Sequence, residues 1–341
     1  MNAKLFEALE LLEKEKGIPK SYMIEKLEAA LTKAFQKQHA GSDNVRVVFT
    51  PEKKTMKLYL VKTVVEEVVD PQTEISLVEA KALSRRHKLG GEVLFEQKTE
   101  AFSRLAAQAG KQVLVQAIRE AEKNIAIKVY EEKKEEIITA VVYKVDDSDG
   151  SLVLDTGTSK AVLTKEAQLP TDSFNVGDRL KVFITEVRSG EERGPLVTLS
   201  RVHPGLVRRL FELQIPEIAD GTVVIKNVSR DAGSRSKVAV YSTKEDVDAV
   251  GACIGNHGMR INAILAELGG EKIDVIRYDE DVATYVKEAL SPATVISVDY
   301  DGERTCRVKV APDQLSLAIG KEGQNAKLAA KLTGCKIDIK A

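Results

Sequence analysis

Residues of the kind that build metal and redox sites are scarce in this chain. Its 341 residues include three cysteines and four histidines. Cys253, Cys306 and Cys335 are odd in number and lack the close paired spacing of a zinc site or a disulfide framework. This spacing predicts buried, reduced thiols in a cytosolic protein. The histidines lie in four unrelated sequence contexts, so none has a partner at metal-ligand spacing: His39, His87, His203 and His257.

Signatures of catalysis and of membrane insertion are also missing. The chain has no Walker phosphate loop, no Gly-x-Gly-x-x-Gly and no His-Asp run of catalytic spacing. No apolar run approaches the length of a transmembrane helix, and the N-terminus runs directly into a Glu-rich amphipathic helix without a signal-like segment. These absences predict a soluble cytoplasmic protein that is not an enzyme and binds no cofactor or metal.

Neither sign of charge dominates, since the formal net charge is −1 at pH 7. A near-neutral chain is not expected to bind nucleic acid strongly through its overall field. The last 41 residues are different, with eight Lys and Arg against five Asp and Glu. Any binding of nucleic acid must therefore depend on local geometry and on basic patches.

What the sequence does contain is an internal repeat near its C-terminal end. Ile-Gly-x-x-Gly occurs at 254–258 and at 319–323, and each copy is followed by Lys-Ile-Asp, at 272–274 and at 336–338. The paired glycines are 65 residues apart and the Lys-Ile-Asp segments 64, so a single deletion aligns the two copies. This agreement indicates a duplication.

The repeated glycine motif predicts a phosphate-binding loop. Glycine permits unusual dihedrals and close approach of a backbone, and the amide groups of the following helical turn have no intrachain partners. KH domains clamp single-stranded nucleic acid in this way, and the repeat resembles two tandem KH domains of the prokaryotic type. A single copy would be read equally well as a turn between helices, whereas two matched copies favour RNA binding.

The residues predicted to contact RNA fall into three groups. The loops supply Gly255, Asn256, His257, Gly258, Gly320, Lys321, Glu322 and Gly323. An apolar floor under the bases is predicted from Ile254, Ile261 and Ile319. Phosphate contacts are predicted for Arg260, Lys321 and Lys327 and, in a basic hairpin turn, for Arg230, Arg235 and Lys237. Two alternatives stay open: the hairpin can be ordinary solvated surface, and His257 can simply fill a permissive loop position.

Helix and strand periodicities extend over the rest of the chain. Two helices broken at 17–19, a hairpin turning at 51–54 and a long helix from about 97 to 136 are predicted first. One face of the long helix is predicted to carry Phe102, Leu105, Ala109 and Val113. Five short strands between 136 and 201 then predict a small OB-type barrel, whose few aromatics indicate only a weak RNA surface.

Longer blocks of sequence resemble the NusA family of bacterial transcription termination/antitermination factors. The likeness covers essentially the whole chain, although Gln214 and Ala249 replace the acidic residue and the proline that are common at these positions. The matching blocks are residues 8–18, 199–201, 203–204, 216–218, 220–223, 233–240, 250–255 and 270–274.

The resemblance implies a multidomain α+β chain. Its domains would be a helical/β RNA-polymerase-binding domain with its connecting helix at 1–130, a five-stranded OB-type β-barrel of the ribosomal-protein S-one type at 136–201, and KH domains at 202–276 and 277–341. The KH domains would form one extended RNA-binding surface. Because the sequence ends at Ala341, autoinhibition by the acidic C-terminal repeats of some family members is not expected.

The function implied is that of an RNA-binding elongation factor that modulates pausing, intrinsic termination and antitermination. Its partners would be core RNA polymerase near the RNA exit channel, nascent single-stranded RNA and other antitermination factors, with the protein acting as a monomer. The alternative is an RNA-processing or ribosome-assembly protein that uses the same RNA-binding modules.

Overall fold

The computed structural model of the chain describes residues 2–38, 44–97, 100–188 and 196–341. It contains two compact units, Met1–Ile125 and Ala126–Ala341. Within the described ranges no helix has both the length and the apolar character needed to cross a bilayer.

The first unit begins with the two predicted helices, which the structure confirms. Helix α1 ends where Gly17 adopts a φ of 66°, and Ile18 and Pro19 separate it from α2. The predicted hairpin is also confirmed as β1 and β2, paired antiparallel from Val45 opposite Leu60 to Thr50 opposite Thr55. The elements are α1 (Asn2–Lys16), α2 (Lys20–Gln38), β1 (Val45–Thr50), β2 (Thr55–Val65), β3 (Glu74–Ser76), α3 (Leu77–Leu83), β4 (Glu92–Gln97) and α4 (Glu100–Glu132).

Three of these elements, β3, α3 and β4, were not predicted. They add a parallel and an antiparallel strand to β2 and enclose a small core of their own around Val64, Ile75, Ala80 and Val93. The main core of the unit lies between α1, α2 and the hairpin. The long helix is confirmed as α4, but the side chains of the predicted face at 102–113 lie outside the described residues.

The second unit opens with the predicted barrel. Its strands follow the order β7-β6-β5-β8-β9, all antiparallel, and β7 approaches β9 so that the sheet is nearly closed. The last turns of α4 belong to this barrel, because Tyr130 is buried and its hydroxyl contacts the hydroxyls of Thr156 and Ser159 at 2.6 and 2.8 Å. The strands are β5 (Ile137–Val145), β6 (Leu152–Asp155), β7 (Lys160–Leu163), β8 (Arg179–Val187) and β9 (Val197–Ser200).

Two α/β domains of the same topology follow and confirm the predicted tandem KH fold. In each, the first two strands pair antiparallel, and the third strand pairs in parallel with the second, which is therefore the central strand. The first contains α5 (Pro204–Gln214), α6 (Pro216–Ala219), β10 (Val223–Asp231), β11 (Arg235–Ser242), α7 (Ala249–Ile254), α8 (Met259–Glu267) and β12 (Lys272–Arg277). The second contains α9 (Val282–Ala289), β13 (Val295–Tyr300), β14 (Thr305–Val310), α10 (Leu315–Ile319), α11 (Gln324–Thr333) and β15 (Lys336–Lys340).

Candidate nucleic-acid interface

The two glycine loops have the same backbone geometry. Gly255 and Gly320 follow α7 and α10 with φ/ψ of 72°/173° and 75°/170°. A Cβ atom at Gly255 would lie 2.8 Å from Cγ of Arg260, and one at Gly320 would lie 2.8 Å from Cβ and from the backbone nitrogen of Asn325. The first glycine of each loop is therefore required by packing as well as by its positive φ.

The last glycine of each loop is required for a different reason. Gly258 and Gly323 are left-handed, with φ/ψ of 73°/14° and 76°/13°. A Cβ atom there would meet its nearest described neighbours at 3.3 Å, on Asn262, and at 3.6 Å, on Lys327. Among the described residues no side chain caps α8 or α11, whose N-cap residues are these glycines. The backbone at both positions is therefore open to the approach of an acceptor such as a phosphate oxygen.

The residues between the glycines are exposed and partly strained. Asn256 and His257 occupy the first loop, and Lys321 and Glu322 the second. His257 and Glu322 are non-glycine residues with positive φ, 50° and 53°. Such conformations are uncommon and cluster at functional sites. A direct contact of His257 with RNA stays a prediction.

The fifth residue after the first glycine braces each loop from behind. Nη1 of Arg260 donates to Glu217 at 2.8 Å and to the carbonyl of Ala252 at 2.7 Å. Its counterpart Asn325 is buried and donates from Nδ2 to the carbonyls of Leu290 and Ala318, at 3.0 and 3.1 Å. Arg260 was predicted to bind phosphate, but its Nη1 holds the loop through these two hydrogen bonds. Asn325 was missed, although it stands at the position of Arg260 in the repeat.

The prediction that Arg230 contacts a phosphate is wrong. Its side chain is 0% exposed and lies against Glu271, which is equally buried, with Nη2 2.8 Å from the carboxylate. The carboxylate of Glu271 also accepts from the backbone of Gly233 and from Ser236. Arg230 therefore lies beside the turn of the β10–β11 hairpin, paired with a carboxylate instead of facing solvent.

The predicted phosphate contact is also wrong for Lys237, and Arg235 is hydrogen-bonded to a carboxylate. The Lys237 side chain is 0% exposed, and its Nζ donates to Asp274 at 3.0 Å and to the carbonyl of Ser291 at 2.7 Å. Burial lowers the pKa of Lys237, against the effect of Asp274. Arg235 makes two hydrogen bonds to the same carboxylate, at 2.7 and 2.8 Å. The reason is that β11 is the central strand and β12 places Asp274 beside it.

Cations that do remain accessible surround the second loop. Lys321, Lys327 and Lys331 are exposed and line a cavity of about 470 Å³ together with the β10–β11 turn. The Nζ of Lys327 donates to the carbonyl of Glu322 at 3.0 Å, which keeps its charge at the loop. Lys331 was not predicted, but it lies one helical turn after Lys327 and so shares its face of α11.

The chain matches three family models in sequence order. Residues 4–124 match the NusA N-terminal domain, 201–278 the NusA-like first KH domain and 282–341 the NusA-like second KH domain. The chain is also similar over its full length to curated proteins named transcription termination/antitermination protein NusA. Identity is 45% to that of Halalkalibacterium halodurans and 44% to that of Bacillus subtilis, over 100% of this chain and 89% and 91% of theirs. It is 39% to that of Thermus thermophilus, over 99% of this chain and 89% of that protein. The chain belongs to the NusA family.

In this NusA-family chain the apolar part of the interface is only partly as predicted. Ile254 and Ile319, the last residues of α7 and α10, are 40% and 38% exposed beside their loops. Ile261 instead packs against the core of the first KH domain. Met259, at the start of α8, is 66% exposed and was not predicted. These side chains give each NusA-type loop an exposed apolar margin.

The barrel of this NusA-family chain offers little surface for stacking bases. Tyr143 is exposed, but Nζ of Lys160 lies 3.1 Å from the centre of its ring. Val162 and Val176 are further exposed apolar side chains of this domain. The expectation of a weak RNA surface on the barrel itself stays a prediction.

Proposed function

We propose that this chain is an RNA-binding transcription termination/antitermination factor that acts while docked on RNA polymerase. The observation that carries the RNA-binding part is the pair of glycine loops, whose corresponding dihedral angles agree within a few degrees. Membership of the NusA family supports the role in termination and antitermination.

Each loop is proposed to hold a phosphate with backbone amides while bases rest on the adjacent isoleucine. The residues proposed to contact RNA are Ile254, Gly255, Asn256, His257 and Gly258 in the first domain, and Ile319, Gly320, Lys321, Glu322, Gly323 and Lys327 in the second. The contacts need no catalytic chemistry. Lys331 is added to this set because it lines the same cavity as Lys321 and Lys327.

The helices that follow the two loops are anchored to neighbouring domains. At the end of α8, Glu267 accepts hydrogen bonds from Lys181 and Arg201 of the barrel. On α11, Gln324 donates to Asp231 of the first KH domain at 2.6 Å, and the carbonyl of Leu332 accepts from Nδ2 of Asn227 in the same domain at 2.9 Å. A preorganised pair of sites loses less entropy on binding than two mobile ones.

The N-terminal unit is proposed to dock on core polymerase and to hold the loops beside the emerging transcript. Tethering of this kind raises the local concentration to about millimolar for short connections, so weak contacts with RNA become effective. In this way the factor would prolong pauses and bias intrinsic termination and antitermination. We further propose that it acts in the cytoplasm as a monomer, with other antitermination factors as additional partners.

The loop assignment is tested with Gly258→Asp and Gly323→Asp, which place a carboxylate where the phosphate would lie. Matched controls are Gly221→Asp and Gly302→Asp, since both glycines have positive φ, 79° and 87°, with no described atom within 4 Å of a Cβ. Circular dichroism checks folding, and fluorescence anisotropy measures affinity for single-stranded RNA. We expect both loop variants to bind more weakly than the controls. Equal affinities for loop variants and controls would contradict the assignment.

The docking assignment is tested by removing the first unit. The truncation should begin at Ala126, because Tyr130 belongs to the barrel core and a cut at residue 136 would remove it. Residues 126–341 are expected to keep RNA affinity and to lose both binding to nuclease-treated core polymerase and the effect on pausing. Full pausing activity from this fragment would refute tethering, and failure of the intact chain to bind polymerase would favour RNA processing or ribosome assembly.

A further inference from the structure

A second cavity lies between the barrel and the first KH domain, apart from the glycine loops. It has a volume of about 510 Å³ and is bordered by β8, the start of α5 and strand β10. Its wall contains Phe183 and the His203-Pro204 pair. Nothing in the glycine-loop mechanism uses these residues.

His203 forms an aromatic platform in this cavity. Its ring stacks on Phe183, with ring centres 4.8 Å apart and planes 8° from parallel. Phe183 is buried, whereas His203 is exposed and lines the cavity, so the ring face turned away from Phe183 is available. A Cβ atom at Gly205 would lie 2.4 Å from Phe183 and 2.8 Å from Nδ1 of His203. Glycine at this position therefore makes room for the stack.

A hydrogen bond fixes the orientation of the His203 ring, and its surroundings favour the neutral form. Nδ1 accepts from the backbone nitrogen of Gly205 at 3.0 Å, which leaves the proton on Nε2. Burial lowers the pKa of His203, and the nearby charge of Arg230 lowers it further, against the effect of Glu135. A neutral aromatic ring with one open face can stack on a base of any identity.

Arg208 supplies an available cation at the same place. It lines the cavity from the exposed face of α5 and has no hydrogen bond or ion pair within the described ranges. Its neighbour Arg209 differs, because it is engaged by the carbonyl of Glu135 and by the carboxylates of Glu136 and Glu212. Glu135 also lines the cavity and brings a negative charge. A bound phosphate would accordingly lie towards Arg208.

We propose that this cavity is a further subsite for single-stranded RNA, in which one base stacks on His203 and the adjoining phosphate pairs with Arg208. The combination of an open aromatic face with an unpaired cation is typical of surfaces that bind single strands without sequence preference. The inference rests on the proposed RNA-binding function and extends it to the junction of the barrel with the first KH domain.

The test uses the full chain and fluorescein-labelled oligouridylate and oligoadenylate of about 4 to 16 nucleotides, the range of site sizes for single-strand binding domains. His203→Asn removes the ring but keeps a good N-cap for α5. Arg208→Gln removes an exposed charge, and Lys287→Gln is its control because Lys287 is also exposed, on α9, without a partner among the described residues. Glu135→Gln removes the opposing charge.

On the longest RNA we expect His203→Asn to weaken binding about tenfold, the usual effect of losing one stacked base. Arg208→Gln should weaken it several-fold and reduce the slope of log affinity against log salt concentration by about 0.7, the value for one phosphate of a single strand. Glu135→Gln should strengthen binding, and Lys287→Gln should leave it unchanged.

Gly258→Asp and Gly323→Asp, measured on the same RNAs, separate the two proposals. If they weaken binding while His203→Asn and Arg208→Gln do not, the subsite is refuted and the glycine-loop mechanism remains. If none of the four weakens binding, both proposed RNA sites are refuted, and if the unaltered chain binds neither RNA, the RNA-binding function itself fails. Normal RNA affinity with loss of pausing in the cavity variants would show that the cavity takes a protein segment, and would also overturn the proposal.

Discussion

A contact that should matter strongly for the stability of the second unit is the buried ion pair of Arg201 with Asp172. The two side chains are 2% and 3% exposed, and their hydrogen bonds measure 2.7 and 3.0 Å. Arg201 also donates to the carbonyls of Lys181 and Glu267, both at 2.8 Å. One side chain therefore joins the barrel to the helix that follows the first glycine loop.

We expect Arg201→Met to destabilise the unit strongly. It leaves the carboxylate of Asp172 buried without its cation, and removal of one partner of a buried pair costs about 3–5 kcal/mol. For a unit of this size each kcal/mol lowers the melting temperature by about 2–4 °C, so the expected decrease is about 6–20 °C. Calorimetry of the full chain measures it, with residues 126–341 identifying the transition of the second unit.

The matched control is the exposed pair of Arg277 with Asp248. Its contact is 3.0 Å long, but the side chains are 62% and 60% exposed. Arg277→Met should cost less than about 1 kcal/mol, as exposed pairs do. The double variant Arg201→Met with Asp172→Leu should regain much of the loss, since apolar residues can replace a buried pair. Equal costs for Arg201→Met and Arg277→Met, or no recovery in the double variant, would refute the reasoning.

Two further predictions concern the KH domains. Gly320→Ala should lower the free energy of unfolding more than Gly323→Ala, because the new Cβ at residue 320 would lie 2.8 Å from the backbone of Asn325. Gly323→Ala introduces only the strain of a left-handed residue, about 1–2 kcal/mol. Urea unfolding measures the difference, and equal losses would contradict the prediction. Cys335 should be the first thiol alkylated in the folded chain, because Cys253 and Cys306 are buried and burial raises the pKa of each to about 12. Mass spectrometry identifies the alkylated residues, and labelling of Cys253 before unfolding would contradict the prediction.

The sequence was sufficient to predict features that depend on local patterns. The break at Gly17, the hairpin at 51–54 and the five barrel strands each follow from residues close together in the chain, and all were confirmed. The glycine loops could be predicted because the duplication shows the same local pattern twice. Strand β3 was missed because a strand of three residues is too short to show a period.

Long-range partners could not be predicted, and this is why the basic hairpin was misread. Arg230 and Glu271 are 41 residues apart, and Lys237 and Asp274 are 37 apart. Period-2 alternation indicates which side of a strand a residue faces, but not which strand lies beside it. Asp274 belongs to the repeated Lys-Ile-Asp, but the repeat by itself does not show that this carboxylate lies beside a buried cation. A buried cation needs such a partner, so the acid that recurs in both closing strands, Asp274 and Asp338, is the signal that could have been used for Lys237.

The two glycine loops share a backbone but not their side chains, and this difference follows from how they are expected to bind. If main-chain amides hold the phosphate, only the dihedral angles must be kept, and these agree within a few degrees. The bracing residue can then be Arg260 in one copy and Asn325 in the other, provided that it holds the loop. Cations are free to diverge as well, and they are concentrated at the second loop. Most of the salt dependence of RNA binding should therefore arise at the second KH domain, while the first contributes affinity that changes less with ionic strength.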